Sequence, residues 1–270
     1  MTEAKLSLSL ISKHRIVDRA LGLNEPSGLT LNHDGTALYT VSDDTKAIFR
    51  LDLKGRVTIG ASFFIGDEDL EGLAISGDGQ RLHAVQEDTN SVISFDIATR
   101  TEVNRQPLVE MLNFSSIAKH FPEQPDNKGL EGITVNTRTG HVVVVKESRP
   151  GLLIEIDLAQ GRILNARLLT EANGFSHPSL ASDKLDFSGL SYDNSRDTFW
   201  ITSDKGQCLF HYDWNLNRVI QRLDLSRKVN KPSSKVRKSE GVAIDPARQR
   251  LYVVSERDGD LFTYQIHPNE

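Results

Sequence analysis

Short apolar segments separated by clusters of turn residues recur along the whole chain. In one unit the apolar segment GLAI precedes the turn cluster SGDG, and the strand-like segment RLHAVQED follows. A third apolar segment comes next, as in SVISFDI, and a fourth begins near a charged residue, as in EVNRQPLV. Segments of this length bounded by Gly, Asp and Ser are typical of β-strands joined by tight turns. The pattern therefore predicts units of four short antiparallel strands.

The unit occurs five times, and in each copy an acidic residue follows an early glycine by 15 positions. Successive glycines are 44 to 60 residues apart, a spacing that suits propeller blades. We therefore predict an all-β fold, a single five-bladed β-propeller over residues 1–270, with blades that start near residues 27, 71, 131, 188 and 240. The glycine and acid pairs are Gly28 with Asp43, Gly72 with Glu87, Gly132 with Glu147, Gly189 with Asp204, and Gly241 with Glu256.

The fifth unit ends after its third strand, near Ile266. The N-terminal segment HRIV, residues 14–17, matches the missing fourth strand, so we expect it to complete the last blade and close the ring. Closure removes two sheet edges that would otherwise promote aggregation.

Two inserts interrupt the strand pattern. Apolar spacing over residues 106–120 predicts a short helix, and the Gly, His, Pro and Ser content of residues 171–184 predicts a loop.

The predicted topology brings the repeated acids together. The first strand of each blade lines the central channel, and the second strand returns beside it. The acid before the glycine and the acid 15 residues after it therefore lie at the same end of the channel. The predicted metal ligands at this mouth are Glu71, Glu131, Glu240, Asp43, Glu87, Glu147, Asp204 and Glu256.

Two blades carry serine, Ser27 or Ser188, in place of the first-strand acid. An acid two residues earlier would face the same side of an extended strand, and this marks Glu25, Asp69 and Asp186 as further ligand-binding candidates. So many carboxylates near one axis need a counter-charge. The lysines beside the acids are Lys128, Lys146, Lys205 and Lys238, and of these Lys128 and Lys238 are also ligand-binding candidates.

Two interpretations of the acids stay open. Either a hard cation binds them, for which carboxylate oxygens are natural ligands, or each acid joins its blade to the next through backbone amides and lysines. We favour a metal, with calcium as the expected ion, for the first-strand glutamates, and leave both interpretations open for the second-strand acids. The sequence contains no EF-hand loop, HExxH motif or His cluster, and it indicates no organic cofactor.

The 38% hydrophobic and 26% charged residues among 270 are ordinary for a globular protein and exclude a disordered, collagen-like or membrane-embedded chain. A net charge of −5 argues against nucleic acid as a partner. The single cysteine, Cys208, excludes an internal disulfide framework. No signal peptide or membrane span is visible, so we expect a soluble, cytoplasmic monomer, or a periplasmic or envelope protein if a leader has been removed.

Two weaker signals concern anions and catalysis. The basic segment of residues 226–238 leads into Glu240, so it would bind a small anionic ligand beside the metal or form a solvated loop. His177 is a candidate general base without a partner. No nucleophilic triad is recognisable, and the catalytic residues stay unknown.

The motifs EPSGL, DLEGL, KGLEGI with VKES, and KSEGVAID with VSER resemble the SdiA-regulated, YjiK-like family of bacterial β-propellers over about residues 24–265. The resemblance implies calcium, a likeness to phytase-like propellers and, for some members, an envelope location with an N-terminal membrane segment. It implies no catalytic residue. By matching motifs, it places at the acidic channel mouth Glu71, Glu131, Glu240, Glu87, Glu147 and Glu256.

Three functions are compatible with this sequence. The first is a non-enzymatic calcium-binding propeller, and the second is a metal-dependent hydrolase of phosphate esters or lactones at the same mouth. The third is a metal-free interaction scaffold. A propeller hosts many unrelated activities, so the fold alone does not decide among them.

Overall fold

The strands of the computed structural model form five antiparallel sheets of four strands each, and residues 5–42, 45–66, 69–123, 126–226 and 235–268 are described. Each sheet is one blade, and the first strands of neighbouring blades are in contact around the axis. The predicted five-bladed β-propeller is therefore confirmed. None of the helices in these ranges is long and apolar enough to cross a membrane.

Blade 1 contains β2 (Pro26–Leu31), β3 (Ala37–Ser42), β4 (Thr45–Asp52) and β5 (Phe63–Phe64). Blade 2 contains β6 (Leu70–Ile75), β7 (Arg81–Gln86), β8 (Ser91–Asp96) and β9 (Thr101–Pro107). Blade 3 contains β10 (Leu130–Val135), β11 (Val142–Lys146), β12 (Leu152–Asp157) and β13 (Arg162–Leu168). Blade 4 contains β14 (Leu190–Asp193), β15 (Thr198–Ser203), β16 (Cys208–Asp213) and β17 (Arg218–Asp224). Blade 5 contains β18 (Ser239–Asp245), β19 (Arg250–Ser255), β20 (Asp260–Pro268) and the N-terminal strand β1 (Leu6–Arg15).

An aspartate ends the third strand of each of the first four blades and closes the turn to the fourth strand. In blade 2, Oδ1 of Asp96 accepts the backbone N–H of Thr99 at 2.7 Å. A short polar side chain that bonds its own turn favours a tight connection over continued strand. In blades 2, 3 and 4 the aspartate therefore sets where the outer strand begins. The same kind of turn bond is made by Asp52, Asp157 and Asp213.

The N-terminal strand closes the ring as predicted, although it is longer than the predicted segment. β1 pairs with β20 in an antiparallel ladder, with His14 opposite Leu261 and Leu8 opposite Ile266. The strand ends at Arg15, so the last two residues of the predicted segment lie beyond it. The LSLSL alternation at the start of β1 turns leucines towards the blade, which the shorter match to HRIV overlooked.

The central glycines are required by close approach of the inner strands. A Cβ atom at Gly72 would lie 2.6 Å from the carbonyl oxygen of Glu131 and 2.8 Å from the backbone N of Ile133. Each such glycine touches the backbone of the following blade, and Gly241 of blade 5 touches blade 1, so the contacts form a closed ring. None of the five has a positive φ, so the space on the axis, not the backbone conformation, demands glycine. The glycines of this ring are Gly28, Gly72, Gly132, Gly189 and Gly241.

The predicted short helix over residues 106–120 is wrong. Its first residues complete β9, and three 3₁₀ turns follow at Leu108–Glu110, Phe114–Ser116 and Ala118–His120. Asn113 adopts a left-handed conformation with φ 69°, which an α-helix does not accommodate. The apolar spacing of three residues suits the 3₁₀ period, and it buries side chains against blade 3. The second insert is irregular apart from 3₁₀ turns at Glu171–Asn173 and Ser182–Lys184.

The closure predicts that removing residues 1–15 leaves β20 as an unpaired sheet edge. We expect the truncated protein to unfold at markedly lower urea concentration than the parent, or to aggregate, as size-exclusion chromatography would show. A synthetic peptide of residues 5–17 should restore the parent's urea midpoint, and a scrambled peptide should not. A truncated protein with the parent's midpoint would contradict the closure.

The glycine ring predicts that Gly72→Ala destabilises the protein by about 1–3 kcal/mol or more, because two rigid inner strands must separate. Gly77 is the matched control, since a Cβ there would meet nothing within 4 Å and its φ is not positive. Gly77→Ala should be neutral or stabilising by up to about 1 kcal/mol. Urea denaturation of both variants measures the difference, and equal midpoints would refute the ring.

Candidate functional site

An axial cavity of about 320 Å³ opens at the end of the channel where first strands begin and second strands end. Its lining contains most of the acids and lysines that the repeat predicts at the channel mouth. Within the described ranges, the lining acids are Glu71, Glu87, Glu131, Glu147, Asp186, Asp204, Glu240 and Glu256, and the lining lysines are Lys128, Lys205 and Lys238.

Three predicted candidates have other placements. Asp43 lies outside the described residues. Glu25 is exposed and lines a neighbouring groove with Arg15 and Arg19, so it does not replace the missing acid of blade 1 in the axial cavity. Asp69 lies beside the cavity, where its carboxylate approaches those of Glu71 and Glu87.

β-Bulges aim the first-strand acids at the axis. In blade 3, Leu130 pairs with Lys146 and Gly132 pairs with Val145, so Glu131 is the extra residue between two ladder pairs. Such a bulge turns a side chain out of the regular alternation of the strand. Blade 5 has the same register shift around Glu240. The sequence signal was the repeated acid–glycine pair, but regular strand alternation could not predict its direction.

The inner glutamates differ in their partners. Ser27 donates a hydrogen bond from Oγ to Oε2 of Glu71 at 2.7 Å, across blades 1 and 2. The carboxylates of Glu131 and Glu240 have no hydrogen-bond or ion-pair partner within the described part of the chain, and both line the cavity. Ser188, which replaces the acid in blade 4, donates from Oγ to the carbonyl of Ser239 at 2.6 Å. The serine positions therefore join blades, and two glutamates remain open to the cavity.

The second-strand acids hold neighbouring blades together. Oε1 of Glu87 in blade 2 accepts the backbone N–H of Gly129, which precedes β10 of blade 3, at 3.0 Å. Glu147 accepts Lys128 Nζ at 2.5 Å and lies 3.7 Å from Lys205 Nζ, which belongs to blade 4. The inter-blade joint that the sequence left open is therefore present at these acids.

The same lysines neutralise further acids of the rim. Lys205 Nζ lies 3.3 Å from Oδ2 of Asp186, and Lys238 forms an ion pair with Glu256. The backbone of Lys238 also hydrogen-bonds Asp204. In the described part of the chain, the lysines of the cavity thus pair with acids at its rim and not with Glu131 or Glu240.

Burial, and after it the charges of Glu71 and Glu240, raises the pKa of Glu131 well above its ordinary value. Burial and the charges of Glu256 and Glu71 do the same to the pKa of Glu240. Desolvation and like charge both disfavour the ionised carboxylate, so these groups favour a proton or a cation. Burial is also the largest cause of the raised pKa values of Glu87 and Asp204.

Carboxylate oxygens converge at two overlapping places, one within blade 2 and one between blades 2 and 3. One group is Asp69, Glu71 and Glu87, and the other is Glu87, Glu131 and Glu147. Within each group one oxygen per residue lies within 4.8 Å of the others. Glu87 belongs to both groups, and oxygen-only clusters of this kind suit a hard cation.

The other candidates lie outside this cluster. Residues 227–234 of the basic segment are outside the described residues, and Arg237 is paired with Asp258. Lys146 does not line the axial cavity but a neighbouring pocket. The ring of His177 accepts the backbone N–H of Ser179 at 3.2 Å and is not among the cavity's lining residues, so no general base is assigned there.

Comparison with known proteins identifies a family and a fold. The profile of the SdiA-regulated family matches residues 12–265. No curated protein matches the chain. Glutaminyl cyclase of Myxococcus xanthus has a similar structure, with a TM-score of 0.67, 12% identity, and coverage of 99% of this chain and 100% of that one. The β-propeller domain of Cps50 (Swd1) of Myceliophteria thermophila has a TM-score of 0.54, 13% identity, and coverage of 96% and 99%. At these identities the structural likeness shows the fold alone.

The inner glutamates Glu131 and Glu240 predict a pH dependence of stability in metal-free buffer. Because the pKa values of Glu131 and Glu240 are raised in the folded state, the native protein binds more protons than the unfolded chain above about pH 4.5. Their protonation stabilises the fold at low pH, and this contribution is lost as pH rises through the folded pKa values. The double variant E131Q/E240Q should therefore gain stability over the parent as pH increases from 4.5 to 8. Urea midpoints in EDTA measure the gap, and a gap that narrows with pH would contradict the assignment.

Proposed function

This chain belongs to the SdiA-regulated family, and from that premise we propose that it is a calcium-binding β-propeller whose cation lies in the axial cavity between blades 2 and 3. The observation that carries the proposal is the half-buried carboxylate of Glu131. It faces the cavity with no lysine or hydrogen-bond donor on it among the described residues, although three lysines lie in the same lining. A partly desolvated carboxylate without a partner is unfavourable, and a bound cation would offset that cost.

The donor set fits calcium better than the common alternatives. Calcium takes about 6–8 oxygen ligands in flexible geometry, and carboxylates are its usual protein ligands. Zinc favours cysteine and histidine, and neither residue type is in the described lining of the cavity. Magnesium prefers a compact octahedral shell of water and one or two carboxylates, which does not need so many acids. The residues that would hold the ion are Glu87, Glu131 and Glu147, and the neighbouring group of Asp69, Glu71 and Glu87 shares Glu87 with them.

A cation in this place would act on the joint between two blades. Glu71 and Glu87 belong to blade 2, whereas Glu131 and Glu147 belong to blade 3. The ion would supply positive charge where like charges now repel, and the glutamates would hold it across the blade interface. Binding would therefore stabilise the fold, and the lysine joints of Glu147 would remain on the far side of the cluster.

Experiments can distinguish the calcium-binding propeller from a metal-free scaffold and from a metal-dependent hydrolase. The inter-blade joints favour a metal-free scaffold as the second candidate, because Glu87, Glu147 and Asp204 already have protein partners. Under that hypothesis calcium leaves the melting temperature unchanged. The metal-dependent hydrolase stays a hypothesis, and a panel of phosphomonoesters and lactones tests it directly.

Calcium at a hundredfold excess over its Kd should stabilise the parent by about 2.7 kcal/mol. In a chain of this length that is a rise in Tm of several degrees, measured by thermal unfolding after EDTA treatment. The double variant E87Q/E131Q keeps side-chain size and removes two of the converging charges, so it should lose the calcium-dependent rise. Magnesium at the same concentration should shift the parent less.

The charge-matched control is E110Q/E171Q, which removes two exposed glutamates outside the cavity. It should keep the full calcium-dependent rise in Tm. An unchanged Tm of the parent in calcium would end the metal proposal, and an equal loss in the control would show nonspecific screening of charge.

A further inference from the structure

A second pocket of about 480 Å³ lies beside the axial cavity, and we call it the insert pocket. The insert after β9 supplies its apolar wall, and its volume is within the roughly 300–1,000 Å³ range of small-molecule sites. The pocket and the axial cavity share Glu87, Asn127 and Lys128 as lining residues. The apolar wall consists of Leu108, Val109, Phe114, Ala118 and Phe121.

Lys146 lies in the wall of the insert pocket and is almost completely enclosed, with 1% of its surface exposed. Its Nζ donates a hydrogen bond to the carbonyl of Ser148 at 2.5 Å and lies 5.7 Å from the centre of the Phe121 ring. An ammonium has three donor hydrogens, so this protein acceptor satisfies only one. No carboxylate of the described residues is at ion-pair distance from this nitrogen, in contrast to Lys128, Lys205 and Lys238.

A buried ammonium without a carboxylate is unfavourable unless an anion completes its coordination. Glu87 also lines the pocket, but its carboxylate accepts the backbone N–H of Gly129. The remaining acids, Asp88, Glu123 and Asp126, are exposed, so water screens their charges. The ammonium of Lys146 therefore favours a negatively charged group at the inner wall of the pocket.

We propose that the insert pocket binds a small amphiphilic anion, a carboxylate with an apolar chain, whose oxygens contact Lys146 and whose chain lies against Leu108, Phe114 and Phe121. The apolar wall includes the aromatic pair Phe114 and Phe121, whose ring centres are 5.9 Å apart. Such a ligand would bury its chain on the insert and complete the hydrogen bonding of the ammonium. This site does not require calcium, so it is independent of the proposed metal function.

The test uses octanoate, 1-octanol and octylammonium as probes that share one chain and differ in charge. Isothermal titration is performed on the full chain in EDTA and 0.15 M salt, so failure of the calcium proposal has no influence on the result. Octanoate should bind the parent at least about tenfold more tightly than octanol, the difference expected for a charge-assisted hydrogen bond.

Two variants locate the site. Lys146→Met removes the charge at similar length and should fold, because replacing a buried charge by an apolar side chain is often neutral or stabilising. It should bind octanoate and octanol equally. Ala118→Trp fills the pocket and should abolish octanoate binding. Ala98→Trp is its matched control, since Ala98 is exposed at the turn between β8 and β9, at the opposite end of blade 2, and should bind like the parent.

Three results would overturn the proposal. They are octylammonium as the tightest probe, octanoate binding that Lys146→Met leaves unchanged, and no octanoate binding to the parent at millimolar concentration. If Ala118→Trp does not fold, as circular dichroism would show, the comparison of parent and Lys146→Met still decides the question.

Discussion

The backbone contact between adjacent inner strands is the constraint on which the rest of this structure depends. Five glycines bring the first strands of the blades so close that even a methyl group would meet the next backbone. Interiors are packed at the density of organic crystals, so a ring of such contacts has little freedom to expand. The diameter of the channel follows from these glycines, and with it the distance between every pair of side chains that points to the axis.

That distance explains the electrostatics of the cavity. The residue before each ring glycine is carried to the axis, and in blades 2, 3 and 5 this residue is a glutamate. Three carboxylates at a channel of fixed width cannot move apart, so burial and repulsion raise their proton affinity where the pKa values are shifted. The lysines reduce the charge only at the outer acids, where their ammonium groups reach Glu147, Asp186 and Glu256. Among the described residues, the carboxylates of Glu131 and Glu240 are left to a proton or a metal.

The fold could be predicted from the sequence because the repeated residues occupy equivalent positions in every blade. A glycine and an acid at a constant offset mark the same strand positions in each blade, and a missing strand at one end of the chain has its counterpart at the other. For the site, the sequence predicted which acids lie near one another at the channel mouth, but not the direction or the partners of each side chain. The bulge that turns Glu131 to the axis, and the distinction between Glu71, which accepts Ser27, and Glu240, depend on register shifts that side-chain patterns do not encode. The exposed position of Glu25 has the same origin, since an offset of two residues places two side chains on one face only in an unbulged strand.

Because the five blades are not identical, the converging carboxylates and the insert pocket lie on one side of the ring. Ser27 and Ser188 replace the inner acid in blades 1 and 4 and use their hydroxyls for inter-blade bonds. Blades 2, 3 and 5 keep both acids, but blade 5 is next to the two serine blades, whereas blades 2 and 3 are neighbours. The converging oxygens therefore lie off the axis, on the side of blades 2 and 3. The insert that follows β9 leaves blade 2 beside the same interface and builds the apolar wall of the second pocket there. A cation held by Glu87 and Glu131 and an anion held by Lys146 would then share the wall of Glu87, Asn127 and Lys128, so occupancy of either site would change the electrostatic potential at the other.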